Sequence, residues 1–432
     1  MNAIAGKILM FVEQPFPQDC RVRKEAAMLI SAGYSVSVIA LGEKGQPASE
    51  VINGVHVYRA PKLELFKKTP SASDRLLHRV GRKAKSFLGY LVEYSYFTGV
   101  CFVMSLYVLL KRGFDVIHAH NPPDTLFLVA LPFKLLGKKF VFDHHDLSPE
   151  LYISRYRADQ GFCTWLLKLA ERASLALADI TIATNESYKQ IQIERGRKDP
   201  RTIFVVRNGP DLARLDSARP SSRLRSMNKR ILCYLGSLNP QDGVDYLLRS
   251  LHHLFYELKR SDFHCVIMGS GDSLEDLRAL CSELGLGSCV ELTGFVPDDE
   301  MLANLAAADI CVDPDPSSPL NDVSTWIKIM EYMAHGKPIV TFELKETRYS
   351  AQEAALYVPP NDEVRFAEAI ARLMDEPELR QQMGKYGRRR VEEQLQWQIV
   401  GRNLLQAYGT LLSRNESLPR TAKRRELFLR GS

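Results

Sequence analysis

Apolar residues in this chain fall into short runs that end in Gly, Pro or Asp, each followed by a segment with helical spacing. Strand-like runs alternating with helical ones predict an α/β protein built on parallel sheets. In the first half the pattern predicts strands at Lys7–Val12, Ser35–Ala40, Val116–Ala119, Lys139–Phe142, Ile180–Ala183 and Ile203–Val206. In the second it predicts Ile231–Leu235, His264–Met268, Val290–Leu292, Ile310–Val312 and Pro338–Thr341. Between the two series runs RNGPDLARLDSARPSSRLRSMNK, where Asn208–Gly209 is a turn signal and the remainder is polar and basic. The expected division is a first domain over 1–208, a second over 209–396 and a basic tail over 415–432.

One apolar stretch breaks this rhythm. Residues 87–110, FLGYLVEYSYFTGVCFVMSLYVLL, are long enough to span a bilayer, which takes roughly 20 apolar residues. Glu93, several tyrosines and the strand that follows at once favour a buried helix instead. The preceding basic segment, 67–87, spaces Leu76, Leu77, Val80 and Phe87 as a helix lying on an anionic surface would, or as a solvated helix face would.

Composition adds little to the fold: 432 residues allow two or three domains, and 45% hydrophobic with 25% charged residues is ordinary for a soluble protein. Charge changes the picture more. Residues 1–210 hold 29 Lys/Arg against 19 Asp/Glu, a net of +10, and the rest of the chain is net negative. A basic first half suits nucleic acid or an anionic membrane. With no nucleic-acid motif in view, the membrane surface is the expected partner. The eight cysteines form no CxxC pair and read as core residues of a reducing cytosol. The N-terminus reads as a first strand, not a secretion signal.

The chemistry concentrates between His264 and Val340. Gly269 and Gly271 follow a strand and predict a close approach of a phosphate-bearing ligand to the backbone. Glu331 falls about two turns into a later helix, with Lys328 a turn earlier on the same face. A carboxylate there can accept hydrogen bonds from vicinal ribose hydroxyls. Ser324 and Thr325 are expected to open that helix, where free N–H groups and hydroxyls meet a phosphate. Two strand ends in the first half, HAHNPPDT and FDHHDLSPE, aim histidines at the same crevice. Four histidines beside Asp124, Asp143 and Asp146 raise the question of a metal, but their spacing matches no recognised ligand pattern.

The runs MGSGDSLEDLRALCSELGLGSCVELTGFV and EYMAHGKPIV resemble the donor-binding half of bacterial glycosyltransferases of family 4, and the first half resembles the same family more weakly. The resemblance implies a GT-B fold, two Rossmann-like doubly wound domains facing a central cleft, with a C-terminal helix over 397–414 packing back on the first domain. It implies a retaining hexosyl- or N-acetylhexosaminyl-transferase that uses a nucleotide diphosphate sugar, UDP before GDP, with neither metal nor cofactor. The donor would be held by Gly236, Ser237, Gly269, Gly271, Gly294, Phe295, Val296, Ser324, Thr325 and Glu331. His145, Asp322 and Lys328 would serve the reaction centre; Arg21, Asn121 and Asp124 would meet the acceptor.

This chain departs from the family twice. Val323 stands where an earlier Glu is usual, with Asp322 beside it, and two expected cations after Gly236 are missing, which leaves Lys328 to replace them. The implied acceptor is a glycan on a polyprenyl diphosphate at the inner face of the plasma membrane, in exopolysaccharide or O-antigen assembly. The location is cytoplasmic and peripheral. A sugar-nucleotide epimerase of GT-B-like fold and a catalytically silent glycan- or nucleotide-binding subunit are the alternatives.

Overall fold

A computed structural model describes residues 5–63, 79–156, 161–216 and 218–413. Most of the basic stretch 67–87 and the whole tail 415–432 lie outside them. The first sheet comprises β1 (Lys7–Pro15), β2 (Ser35–Leu41), β3 (Ser49–Ile52), β4 (Val55–Ala60), β5 (Val116–His120), β6 (Lys139–His144), β7 (Ile180–Ala183) and β8 (Ile203–Val205). Its order is β3-β4-β2-β1-β5-β6-β7-β8, parallel throughout except for the β3–β4 hairpin. The second comprises β9 (Arg230–Leu235), β10 (Phe263–Met268), β11 (Val290–Gly294), β12 (Ile310–Asp313), β13 (Ile339–Phe342) and β14 (Ala355–Val358). Its order is β11-β10-β9-β12-β13-β14, all parallel.

Each sheet winds outward from β1 or β9, then reverses to the other side. The reversals fall between β1 and β5 and between β9 and β12, where a crevice opens at the strand ends. All eleven strands read from the apolar runs are present. The three that were missed, β3, β4 and β14, lie at or next to sheet edges, where β3 is exposed and carries no apolar run.

Helix α1 (Cys20–Ser31) leads from β1 into the first domain, its first turn capped by Asp19, which accepts from Val22 N at 2.9 Å. Helix α2 (Arg79–Lys111) contains the long apolar stretch, and its Leu91–Lys111 part is long and apolar enough to cross a membrane by length and composition. The expectation of a buried helix is corrected. Phe97, Cys101 and Val108 pack on the sheet, while Val103, Leu106 and Leu110 lie exposed on the other side.

Helix α3 (Ile327–Ala334) carries Lys328 and Glu331 in the second domain. Helix α4 (Arg402–Ser413) returns to the first, where Leu404, Ala407, Tyr408 and Leu411 join the core of Ile8, Val116, Val141 and Ile180. The chain thus passes between domains twice, and the passages touch. Trp397 N donates to Pro210 O at 3.0 Å, and a Cβ on Gly209 would lie 2.1 Å from Leu395 O. Lys24 on α1 binds both, donating to Gly209 O at 2.8 Å and lying 5.2 Å over the Trp397 ring.

Candidate active site

The loops that bridge the two domains follow the carboxyl ends of strands on both sides. Arg155, after β6, pairs with Asp272, after β10, at 2.5 Å. Asn185, after β7, donates to Val323 O at 2.9 Å and Thr325 Oγ1 at 3.0 Å. Tyr188 meets Ser324 Oγ at 3.1 Å, and Ser187 donates to Glu346, after β13, at 2.6 Å. Arg207, after β8, reaches Thr325 and Glu346 only at 3.4 and 3.5 Å. Both crevices therefore open onto one seam.

On the second-domain side the glycines have a reason different from the one expected. Gly269 has φ +149°, and a Cβ there would sit 1.7 Å from Gly236 O; one on Gly271 would sit 2.3 Å from Leu238 O. The close approach is backbone on backbone. Gly236 N donates to Met268 O, Gly269 N to Gly294 O and Leu238 N to Ser270 O, so the loops after β9, β10 and β11 form one layered floor. Ser237 is exposed on it and Val296 half-buried beside it, while Phe295 is 81% exposed at the end of β11. An aromatic ring left in water at a strand end is available to stack on a planar ligand.

Lys328 is not a free cation. Its Nζ lies 2.9 Å from Asp313 and 2.8 Å from Asp315, both sealed from solvent, and 4.8 Å over the Tyr234 ring. Burial opposes its charge, yet the two carboxylates hold the ammonium well above the ordinary lysine range. Burial and the neighbouring Asp313 push Asp315 well above the usual carboxyl range. The expectation that Lys328 simply replaces the missing phosphate-binding cations is corrected, because its charge is already shared between two aspartates.

Ser324 and Thr325 do not open α3, which begins at Ile327 with Trp326 at its cap. Their hydroxyls face Tyr188 and Asn185 across the seam instead. Asp322 is half-buried and accepts from Ser317 Oγ at 3.2 Å. Glu331 sits half-buried between domains: burial raises its pKa, against the opposing pull of Arg214 and of Lys24 on α1.

On the first-domain side three expected acceptor contacts turn inward. Arg21 is 3% exposed; it grips Asp143 at 2.7 and 2.9 Å, Val206 O and the Asn208 side chain at 3.1 Å each, and Glu25 at 3.1 Å. Those contacts occupy its donors, which corrects its assignment to the acceptor. Asn121 is buried as well. It donates to Asp124 at 3.0 Å and Asp146 O at 2.7 Å, and accepts from His145 N at 2.9 Å and Asp146 N at 3.1 Å. It shapes the loop that presents His145 rather than facing the cleft. Burial pushes Asp124 up to about 6, against the pull of His144. His144 itself is held above its ordinary range by Glu171 at 2.9 Å, despite burial. His145 is half-exposed, unlike Arg21, Asn121, Asp124 and His144, and its ring lies 6.0 Å from that of His120.

Sequence reasoning missed Asn185, Tyr188, Arg207 and Glu346. Asn185 had a signal, since it directly follows the strand-and-turn run ITIAT and caps the next helix by accepting from Tyr188 N at 2.7 Å. Glu346 had none, because Ser187 and Arg207 reach it from the other domain and Thr325 from a distant loop of its own.

Family comparison gives a match to the "Glycosyl transferase 4-like domain" over residues 20–209 and to "Glycosyl transferases group 1" over 229–376. The alpha-D-kanosaminyltransferase of Streptomyces kanamyceticus is 25% identical over 282 residues, covering 62% of this chain and 70% of the relative. The MMP alpha-(1->4)-mannosyltransferase of Mycolicibacterium hassiacum is 25% identical over 312 residues, covering 70% and 72%. Among solved structures, sucrose-phosphate synthase from Thermosynechococcus elongatus superposes with a TM-score of 0.73 at 19% identity, covering 95% of this chain and 100% of its own. Anabaena Alr3699/HepE in complex with UDP-glucose gives 0.66 at 17% identity, covering 94% and 100%. The two family matches flank the linker and take in every strand but β1; the chain belongs to the family 4-like glycosyltransferases of GT-B fold.

Proposed function

We infer that the protein transfers a sugar from a UDP-sugar to a hydroxyl of a lipid-linked glycan, with retention of anomeric configuration. One observation carries the donor site: Glu331 stands half-buried in the seam, with charges of both domains around it. Its carboxylate would accept the ribose hydroxyls, with Phe295 stacked on the base above the layered glycine floor. The diphosphate would then lie at Ser324 and Thr325, displacing their hydrogen bonds to the first domain. Arg207, whose contacts at 3.4 and 3.5 Å are long, is the cation placed to turn onto it. In this reading the leaving diphosphate takes the proton of the acceptor hydroxyl, and His145 and Asp322 contact the sugar. No metal is assigned to the transfer.

Binding of UDP, GDP, ADP and dTDP, followed as a rise in thermal midpoint, tests the donor site. UDP is expected to give the largest rise, and Glu331→Ala to abolish it. Since burial raises the Glu331 pKa and ribose needs the ionised form, UDP affinity should fall as pH is lowered through that raised value. A UDP shift unchanged in Glu331→Ala would refute the assignment.

The acceptor side of the reading rests on the first domain's surface. Leu110 on α2, Leu128 and Leu135 on the helix Phe127–Leu135, and Phe162 and Trp165 on Phe162–Leu177 are all exposed, at 52–89%. These helices pack side by side and belong to the half that carries the net +10. An apolar face in a basic setting suits the cytoplasmic surface of an anionic membrane, where a polyprenyl-linked exopolysaccharide or O-antigen precursor would be found.

A further inference from the structure

At the amino ends of the first sheet, opposite the seam, lies a cavity of about 330 Å³ lined by Lys7, Ser35, Ser37, Lys111, Arg112 and Gly113. Strand register builds its floor: Lys7 on β1 pairs with Ser35 on β2, and Ser37 with His56 on β4. The serines are two apart on β2 and share the face on which Ile39 joins Phe97 of α2 in the core. The end of α2 forms the wall. Gly113, at φ +71°, turns the chain there, and Lys7 Nζ donates to Arg112 O at 2.6 Å. A cation therefore already answers the carbonyl end of the helix, which would otherwise repel an anion.

Three cations meet at this cavity, and none has a carboxylate within ion-pair reach among the described residues. Elsewhere in the first domain Arg21, Arg59 and Arg195 each face one. Lys111 leans back on Tyr107, its Nζ 2.8 Å from the hydroxyl and 5.2 Å from the ring centre. Arg112 donates to His56 Nε2 at 2.6 Å; burial and that guanidinium hold His56 below its ordinary range, so the ring is a neutral acceptor. The neighbouring carboxylate, Asp115, accepts from Lys7 N at 2.9 Å and lies 4.0 Å from Lys138. Neither serine hydroxyl makes a hydrogen bond among the described residues. Unneutralised cations beside free hydroxyl donors suit a phosphate ester, which accepts charge-assisted hydrogen bonds on several oxygens.

The adjoining surface selects a lipid over free phosphate. Leu110, directly before Lys111, is 89% exposed, and Val103, Leu106 and Tyr107 continue its stripe along the outer side of α2. A phosphate in the cavity would leave its acyl chains against that stripe. We propose that the cavity binds the phosphate of an anionic glycerolipid, with Lys7, Lys111 and Arg112 supplying charge and Ser35 and Ser37 fixing the pose. The inference rests on the membrane reading of the first domain given above and adds a headgroup site to that surface. The lipid is an anchor and not the acceptor, because the cavity lies at the strand ends opposite the seam.

Dihexanoyl-phosphatidylglycerol, titrated below its micelle concentration into the full chain and followed by calorimetry, tests this. Saturable binding is expected, with inorganic phosphate about tenfold weaker for want of the acyl contacts. Lys7→Gln with Lys111→Gln, both at exposed positions, should weaken lipid binding about tenfold. Lys44→Gln with Arg197→Gln removes the same charge from exposed positions outside the cavity and should leave it within about twofold. Ser37→Val keeps every charge and should weaken binding too, which diffuse surface attraction would not. The UDP shift should stay as in wild type throughout. Co-sedimentation with phosphatidylglycerol vesicles reads the membrane surface separately. Wild type that sediments but shows no saturable binding of the soluble lipid keeps the surface and loses the cavity; wild type that does neither overturns both. Phosphate bound as tightly as the lipid overturns the proposal, as does a Lys7→Gln, Lys111→Gln variant no weaker than the Lys44→Gln, Arg197→Gln control.

Discussion

Arg21 and Lys328 show how a side chain's partners decide its role. Both stand on strand-to-helix connections or helices beside a crevice, where cations often meet phosphate or acceptor. Yet Arg21 spends its donors on Asp143, Glu25, Val206 and Asn208, and Lys328 is divided between Asp313 and Asp315. Apart from Glu25, one turn away on the same helix, those partners come from two distant segments in the first case and from another strand end in the second, so spacing along the chain could not reveal them. Glu331 was legible because its helix carries a recognisable run, EYMAHGKPIV. The paired state of Lys328 makes a prediction. Removing it leaves two buried carboxyl groups without their cation, which costs about 3–5 kcal/mol. Lys328→Ala should therefore lower stability by that order in denaturant melts, and adding Asp315→Asn should recover part of it. A fully stable Lys328→Ala with impaired nucleotide binding would instead make it a phosphate ligand.

At the scale of elements, buried strands were legible and edge strands were not. A parallel strand covered on both faces is an unbroken apolar run, whereas β3 is exposed and pairs only with β4. The start of α3 was misjudged for a related reason: Ser324 and Thr325 look like caps locally, but their hydroxyls answer to Tyr188 and Asn185 in the other domain. The stacked loops after β9, β10 and β11 make the second element-scale prediction. Gly269→Ala drives a methyl into Gly236 O and should cost several degrees of thermal midpoint together with the UDP shift. Gly287→Ala, with nothing within 4 Å of its Cβ, should change neither.

Across the whole molecule, the doubly wound architecture and the return of the last helix were readable from periodicity and family resemblance. The outer face of α2 was not: its hydrophobicity pointed to burial, and only packing shows which side the sheet covers. That face predicts behaviour on lipid. The full chain should co-sediment with phosphatidylglycerol vesicles and much less with neutral phosphatidylcholine, and Leu110→Glu with Leu135→Glu should weaken sedimentation severalfold while leaving the UDP shift intact. Equal binding of wild type and double variant would remove this face from consideration.

Because the chain crosses between domains at two touching points, Gly209 beside Leu395 and Trp397 beside Pro210, the halves have one soft mode of relative motion. Turning about the line through both crossings stretches neither, while sliding or pulling apart strains both at once. The molecule is therefore built to open as a book opens on its spine. Lys24, bound to both leaves at that spine and sensed by Glu331 on the facing page, couples the angle of the cover to what is held inside.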